Sequence, residues 1–245
     1  MNNIVIDEDK DELSLKLKEN IEYRLDCKGK KIVNVNVLEN SSVSLTEIND
    51  SKNVSRTYNY YVYDNSNLVI NRFYDLENVR EKINIYLNGY GSNVVLNLSA
   101  ISKGTHSYIV NVYHNNKNTT SNTNIHGVTF YSNKIDIENN GYIKKGCSLS
   151  TLNQDNKIIA IDENNSVIKP NLFIDEFDVE ASHGAYIGKF TDEDLFYLKS
   201  RGLNEKDSYN LLIKGFLLNE FNINDEEKEE VKNIISKYWR WKNEF

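Results

Sequence analysis

The chain has 245 residues and a mass of 28.4 kDa. At ~150 residues per domain that allows one domain with an appendage or two small domains, and it is long enough to fold without a disulfide or metal staple. Lys and Arg number 29 against 36 Asp and Glu, so the net charge is −7 and the pI about 5.3, which argues against a protein that wraps nucleic acid or coats an anionic membrane.

Hydrophobic residues at 39% and charged residues at 27% fit a globular chain rather than a disordered one. No apolar run approaches the ~18 residues of a membrane helix. The first eight residues, MNNIVIDE, lack the basic and apolar segments of a signal peptide. Cys27 and Cys147 form neither a disulfide framework nor a CxxC pair, so a reducing, cytoplasmic setting is the expectation. Pro170 is the only proline. Heavy use of Asn, Lys, Ile and Tyr is what an AT-rich coding sequence produces, so single asparagines carry little weight.

Up to about residue 190 short runs alternate apolar and polar residues. They include Val33, Val35 and Val37; Val43 and Leu45; Ile83, Ile85 and Leu87; Val94, Leu96 and Leu98; Tyr108, Val110 and Val112; and Ile135 and Ile137. Period two with β-branched residues predicts strands with one buried face. Residues 38–43, 63–68 and 88–94 share a form: strand end, polar corner, apolar restart. The restarts at Val43, Leu68 and Val94 lie 25 and 26 residues apart, and residues 161–167 repeat the form. A loose period with several strands predicts a coil-stacking solenoid, with corner asparagines bonding from coil to coil; a β-sandwich with similar turn spacing is the alternative.

After residue 190 the period becomes helical. Thr191 and Asp194 form a capping box before Leu195, Phe196 and Leu198, and Gly202 stops that helix. Asn204 caps a second helix carrying Leu211, Leu212, Phe216 and Leu217. Asn224, followed by Asp225, Glu226 and Glu227, opens a third with Val231, Ile234, Ile235 and Tyr238. Acid at its start and Lys237, Arg240 and Lys242 at its end complement the helix dipole. Trp239 and Trp241 either pack on the body or join an interface. Three helices after a β body predict a cap or a docking surface.

Enzyme signatures are absent from the sequence. His106, His114, His126 and His183 form no HExxH or close metal cluster, and there is no phosphate loop and no GxSxG. A β-helix lyase or glycosidase would need two or three carboxylates on one groove; Asp136, Glu138 and Asp162 are the strand-borne candidates.

The most distinctive stretch is VEASHGAYIG at residues 179–188, which leads into DLFYLKSRG at 194–202. Upstream stand GCS at 146–148, QDNKIIA at 154–160 and KPNLFI at 169–174, with YHN at 113–115 and TTSN at 119–122 as weaker motifs. Together these resemble the SufB/SufD family of iron–sulfur cluster assembly proteins over roughly residues 110–220. The resemblance implies a mainly β fold, a right-handed parallel β-helix over residues 1–190, with a C-terminal helical domain over 191–245. It implies a non-catalytic scaffold of the SUF system, paired through its β-helix with a SufB-like subunit or with a second copy, and docked through its helices to the ATPase SufC. Phe196, Tyr197, Arg201, Gly202, Leu212 and Phe216 become the SufC-docking candidates. No tightly bound cofactor is implied; iron or a nascent cluster would be held transiently at the subunit interface.

Two departures point to the SufD-like branch. SufB-like members have Glu where this chain has Gly184, and a functional Cys where it has Gln154, allowing one inserted residue. Cys147 does not align with that Cys. His183 is then either a ligand for iron or a nascent cluster, or a histidine that locks the strand-to-helix corner by a hydrogen bond. Gly184 and Gly188 are expected to supply backbone freedom at that junction. The chain also lacks the N-terminal helical region of typical SufD, which leaves a compact self-pairing scaffold as the alternative. A β-helix polysaccharide lyase or hydrolase is the third reading.

Overall fold

Two stacks of parallel strands, running up opposite sides of one apolar interior, make up most of the structure, a computed structural model that describes residues 2–4, 12–18, 20–25, 31–49, 53–162 and 165–237. The strands are β1 (Asn2–Ile4), β2 (Glu12–Leu17), β3 (Asn20–Leu25), β4 (Ile32–Val37), β5 (Ser42–Asn49), β6 (Asn53–Val62), β7 (Asn67–Leu87) and β8 (Asn93–His114). They continue as β9 (Thr120–Thr129), β10 (Lys134–Ile143), β11 (Ser150–Ala160), β12 (Val167–Ile174) and β13 (Val179–Gly188). Three helices follow: α1 (Asp192–Ser200), α2 (Glu205–Leu218) and α3 (Asp225–Ser236). Cys27, Glu163, Asn164, Tyr238, Trp239, Arg240, Trp241 and Lys242 lie outside the described residues.

One stack runs β1-β3-β5-β7-β8-β9-β11-β13, and the other runs β2-β4-β6-β7-β8-β10-β12. β7 and β8 turn the corner without a break and serve both. Every pairing is parallel, which makes the body a β-solenoid of about six turns rather than a sandwich. The repeat read from the sequence is the register itself: Val43 pairs with Leu68 and Leu68 with Val94. Inward rows of the first coils are mostly apolar because each coil can shield them only with the next. Val33, Tyr58, Ile83 and Val110 form one such row, all buried.

The corners behave as left-handed turns. Asn40, Asn65, Gly91, Asn118 and Leu149 have positive φ and stack in one column, each N–H donating to a carbonyl one coil further on. Asn tolerates this conformation better than most residues. Residues 161, 162 and 165–167 belong to the opposite corner, above residues 130–134, and so do not extend that column. Corner asparagines do bond from coil to coil, Asn115 to Asn88 at 2.8 Å and Asn65 to Asn40 at 3.5 Å, but the main asparagine ladder is not at the corners. It climbs the outer face of one stack through Asn34, Asn59, Asn84, Asn111, Asn140 and Asn171, with Nδ2–Oδ1 distances of 2.8–3.0 Å. Two residues along, Tyr61, Tyr86, Tyr113, Tyr142 and Phe173 stack ring on ring at 4.7–5.0 Å.

The middle coils enclose charge. Arg72 donates to Glu81 at 2.8 Å and also to the Tyr60 hydroxyl; Arg56 donates to Glu47 at 2.8 Å, and all are buried. His106 Nε2 donates to Leu76 O at 2.9 Å and its Nδ1 accepts from the Tyr108 hydroxyl at 3.0 Å, the pattern of a neutral imidazole.

The helices start where the sequence places them. Thr191 and Asp194 form the capping box, Asn204 and Asn224 accept N–H groups at the next two N-termini, and Gly202 takes positive φ after α1. α2 and α3 pack Ile213, Leu217, Val231, Ile234 and Ile235 against Phe73, Ile101, Val128 and Ile159 on the outer face of the β13-containing stack. Ser99 Oγ donates to Leu217 O at 2.7 Å, and Arg24 forks onto Glu230 at 2.6 and 2.7 Å.

Candidate functional site

The solenoid ends open at β12 and β13. Among the described residues β12 pairs only with β10 and β13 only with β11, so each leaves one edge of main-chain groups unpaired by sheet. Pro170 lies on β12 in register with Asn139; a proline that cannot donate to a ladder belongs on an edge strand. The inward row of β11, Ser150, Leu152, Gln154, Asn156 and Ile158, is buried. Its register continues on β13 as Val179, Ala181, His183, Ala185 and Ile187. With no further described coil above them, Ala181, His183, Ala185 and Ile187 are exposed. Phe173, Phe177 and Tyr186 add exposed aromatic surface around this end.

His183 therefore stands at the centre of an apolar end face, one coil above Gln154. Among the described residues nothing hydrogen-bonds its ring, so it does not lock the corner as a structural histidine would. No described group of three or more His, Cys, Asp and Glu converges anywhere in the chain. His183 alone would contribute one donor of that kind to iron or a cluster, and the remaining ligands would come from another chain or from the cargo itself.

The glycines do not play the part expected of them. Gly184 and Gly188 lie within β13 and neither has positive φ. Gly184 faces ordinary space, with Asp155 Oδ1 3.5 Å from where its Cβ would stand. Gly188 is tight only against the Tyr186 side chain. What the absence of a side chain at 184 does leave clear is Asp155. Burial pushes that carboxyl up, but hydrogen bonds from Lys157 at 2.6 Å and His126 at 3.2 Å outweigh it and hold it below its usual range.

The other histidines are structural. His114 sits between the hydroxyls of Thr119 at 2.6 Å and Ser121 at 2.8 Å, and burial lowers it to about 4; His106 is lowered to about 4 in the same way. His126 joins body to tail, with Asp155 on one nitrogen and Phe216 O at 3.3 Å on the other. Cys147 is buried, its Sγ donating to His114 O at 3.2 Å, and burial raises its thiol. Asp136 and Glu138 are taken up by Lys134 and Asn140 on the outer face of β10, and Asp162 accepts from Tyr131 N at the corner. These three carboxylates do not converge on a groove.

The helical candidates divide into two groups. α1 buries none of its residues: Phe196 is 75% and Tyr197 57% exposed, with the Arg201 guanidinium 5.3 Å from the Tyr197 ring centre. Gly202 and Leu211 are also exposed, and Leu212 is half-buried. Phe216 is put to a different use. It stacks on His126 at 5.0 Å and meets Phe190 edge-on at 6.3 Å, anchoring α2 to the solenoid. Sequence reasoning missed that division because Leu211, Leu212 and Phe216 share one apolar stretch of α2, and the pattern alone does not say which of them meets the solenoid.

Comparison with known proteins agrees with this architecture. Residues 3–216 match the family described as SUF system FeS cluster assembly, SufBD core domain. The chain is 34% identical to the iron-sulfur cluster assembly protein SufD of Bacillus subtilis over 116 residues, 46% of this chain and 26% of that one. It is 48% identical to SufD of Escherichia coli over 48 residues, 20% of this chain and 11% of that one. A SufBD family protein of Pyrococcus horikoshii is 52% identical over 40 residues, 16% and 9% respectively. The chain thus covers about a quarter or less of the length of these relatives. Among the described residues no helix is long and apolar enough to cross a membrane. With the family match running from the first strand through the solenoid and α1 into α2, the chain belongs to the SufBD family of iron–sulfur cluster assembly proteins.

Proposed function

We propose that this chain is a non-catalytic scaffold that pairs through the open end of its solenoid and is worked by an ATPase docked on its helices. The supporting observation is the last coil: an inward row that β5, β7, β8, β9 and β11 bury is left bare on β13, beside two strand edges with no described strand alongside. An edge of this kind is stabilised by a second strand laid alongside it. The partner is a SufB-like subunit, as the family's SufD members suggest. A second copy of this chain is the alternative, and it would bring the same strands together about a two-fold axis, with His183 of each copy near the axis.

In either pair a bare ring nitrogen of His183 faces the seam, where imidazole is a competent ligand for iron or a nascent cluster held as cargo. Phe196, Tyr197 and Arg201 form the patch that receives a SufC-like ATPase, since α1 leaves its apolar side chains outside the body. Closure of the ATPase pair would pull α1 and α2, and through Phe216 and His126 the strain would reach β9 and β11, next to the seam. Such a switch needs contacts that differ between two states.

Anaerobic co-expression with the organism's SufC-like ATPase, with and without a SufB-like protein, followed by mass determination, tests this reading. A complex that requires SufB supports the SufD role. Two copies of this chain with SufC alone support self-pairing, and no association with SufC defeats the scaffold reading. Within a folded protein, Phe196→Ala with Tyr197→Ala is expected to abolish SufC capture, and Ile187→Asp to abolish pairing while leaving SufC capture intact.

A further inference from the structure

Gln154 is buried in the inward row of β11, yet only half of its amide is used. Its Nε2 donates across the interior to two main-chain carbonyls of the opposite stack, Asn139 O at 3.2 Å and Asn171 O at 3.4 Å. These two acceptors fix the amide's orientation, because turning it over would set its oxygen against both of them. Oε1 is left buried with no hydrogen-bond partner. Buried acceptors are rarely left so in folded proteins, and each asks for a donor.

The residue one coil on, in the same register and the same inward row, is His183. Neighbouring strands stand about 4.8 Å apart. Asparagines in register span that same step elsewhere in this solenoid, Asn59 to Asn34 and Asn84 to Asn59, both at 2.8 Å. His183 is exposed and its ring is unengaged among the described residues, so it can turn onto Gln154. The neighbouring orphan, Asn139 Oδ1, has no such prospect above it, since its partner in register is Pro170, which has nothing to donate.

We propose that Gln154 is a positioning residue for His183. Its Oε1 accepts one ring N–H of the neutral imidazole and so fixes the tautomer and the ring plane. The other nitrogen is left bare toward the open end of the solenoid. Histidines that ligate metals are generally oriented by an acceptor on the second nitrogen, and removing that acceptor typically weakens metal binding 10–100-fold. A carboxamide does this without adding charge to the seam. The purpose rests on reading His183 as a ligand for iron; the geometry does not.

The test is the two-bond proton–nitrogen spectrum of the imidazoles in the whole 15N-labelled chain at pH 8, with His183→Gln to assign the signal. His183 is expected as one tautomer, with one protonated and one bare nitrogen. In Gln154→Met its two nitrogen shifts are expected to converge toward tautomer averaging, while His106 and His114 keep their wild-type positions and show the fold intact. Averaging in the wild type overturns the proposal whether or not the variants fold, and so does an unchanged His183 signal in a folded Gln154→Met chain. Anaerobic titration with Fe2+ then reads the purpose separately. Affinity 10–100-fold weaker in Gln154→Met supports both claims. A fixed tautomer with no iron-dependent change at His183 keeps the positioning role and defeats the ligand reading.

Discussion

The middle coils and the last coil of this solenoid use the same inward register to opposite effect. Around Arg72 and Glu81 the rows close over one another, and even guanidinium, carboxylate and phenol groups are sealed inside with their partners. On β13 the continuation of a row that is apolar or fully buried below stands open, with His183 at its middle. A coil in a stack draws much of its stability from the neighbours it packs on. The difference therefore locates stability in the middle of the molecule and association at its end, and each half of that statement can be broken separately.

The largest effect is expected in the sealed region. Arg72→Met leaves Glu81 buried beside tyrosines and without its cation, and breaking one partner of a buried pair costs about 3–5 kcal/mol. Urea unfolding should show this loss, whereas His183→Ala should lie within about 0.5 kcal/mol of wild type because it is a surface change. A similar cost at both positions would erase the contrast between the two regions.

Acid should attack the same sealed region next. His106 and His114 are held neutral, each with its proton affinity lowered from 6.5 to about 4 by burial. Between those values the unfolded chain binds protons that the folded chain refuses, so stability rises with pH across the window and is lost as pH falls through it. Each group accounts for up to about 3 kcal/mol of that loss, complete near pH 4. Unfolding free energy measured from pH 7 to 4 should fall along this slope, and His106→Phe should flatten part of it.

A smaller effect is expected at the tail. Phe216→Ala removes the ring that stacks on His126, and being half-buried it should cost less than a full core Phe, about 1–2 kcal/mol. The loss should appear as faster hydrogen exchange in α2 with the strands of the middle coils unchanged. Loss of protection in β7 or β8 would mean that tail and body unfold as one unit.

Much of the body was legible because a solenoid writes its register into its sequence. The restarts at Val43, Leu68 and Val94 became pairs one coil apart, and the caps at Thr191, Asn204 and Asn224 needed only local chemistry. The last coil was legible only as motif. Nothing in the alternation of VEASHGAYIG says that no strand follows above it, because exposure of an inward row depends on a neighbour rather than on the residue. Bonding between asparagines of successive coils was expected at the corners, but the face that carries the main ladder was hidden for the same reason. A ladder from Asn34 to Asn171 is a property of coil spacing, and no single asparagine differs from those that composition alone would supply. Gln154 and His183 lie 29 residues apart and became neighbours only once that spacing was known.

The smallest contrast separates two glycines within the region of the family motifs. Gly202 has a φ of 92° after α1, a conformation that costs a side chain roughly 1–2 kcal/mol. Gly184 has extended backbone and room for a Cβ, with Asp155 Oδ1 at ordinary contact distance. Gly202→Ala should therefore lower stability by about 1 kcal/mol, whereas Gly184→Ala should be neutral in unfolding or slightly stabilising through loss of chain freedom in the unfolded state. Gly184 lies beside His183 on the open end, so a neutral unfolding result leaves association as the property to measure. If Gly184→Ala folds normally but pairs more weakly, the glycine keeps the end face flat for a partner. If pairing is also unchanged, its place in the motif owes nothing to backbone conformation or to the seam, and Asp155 below it becomes the residue to vary.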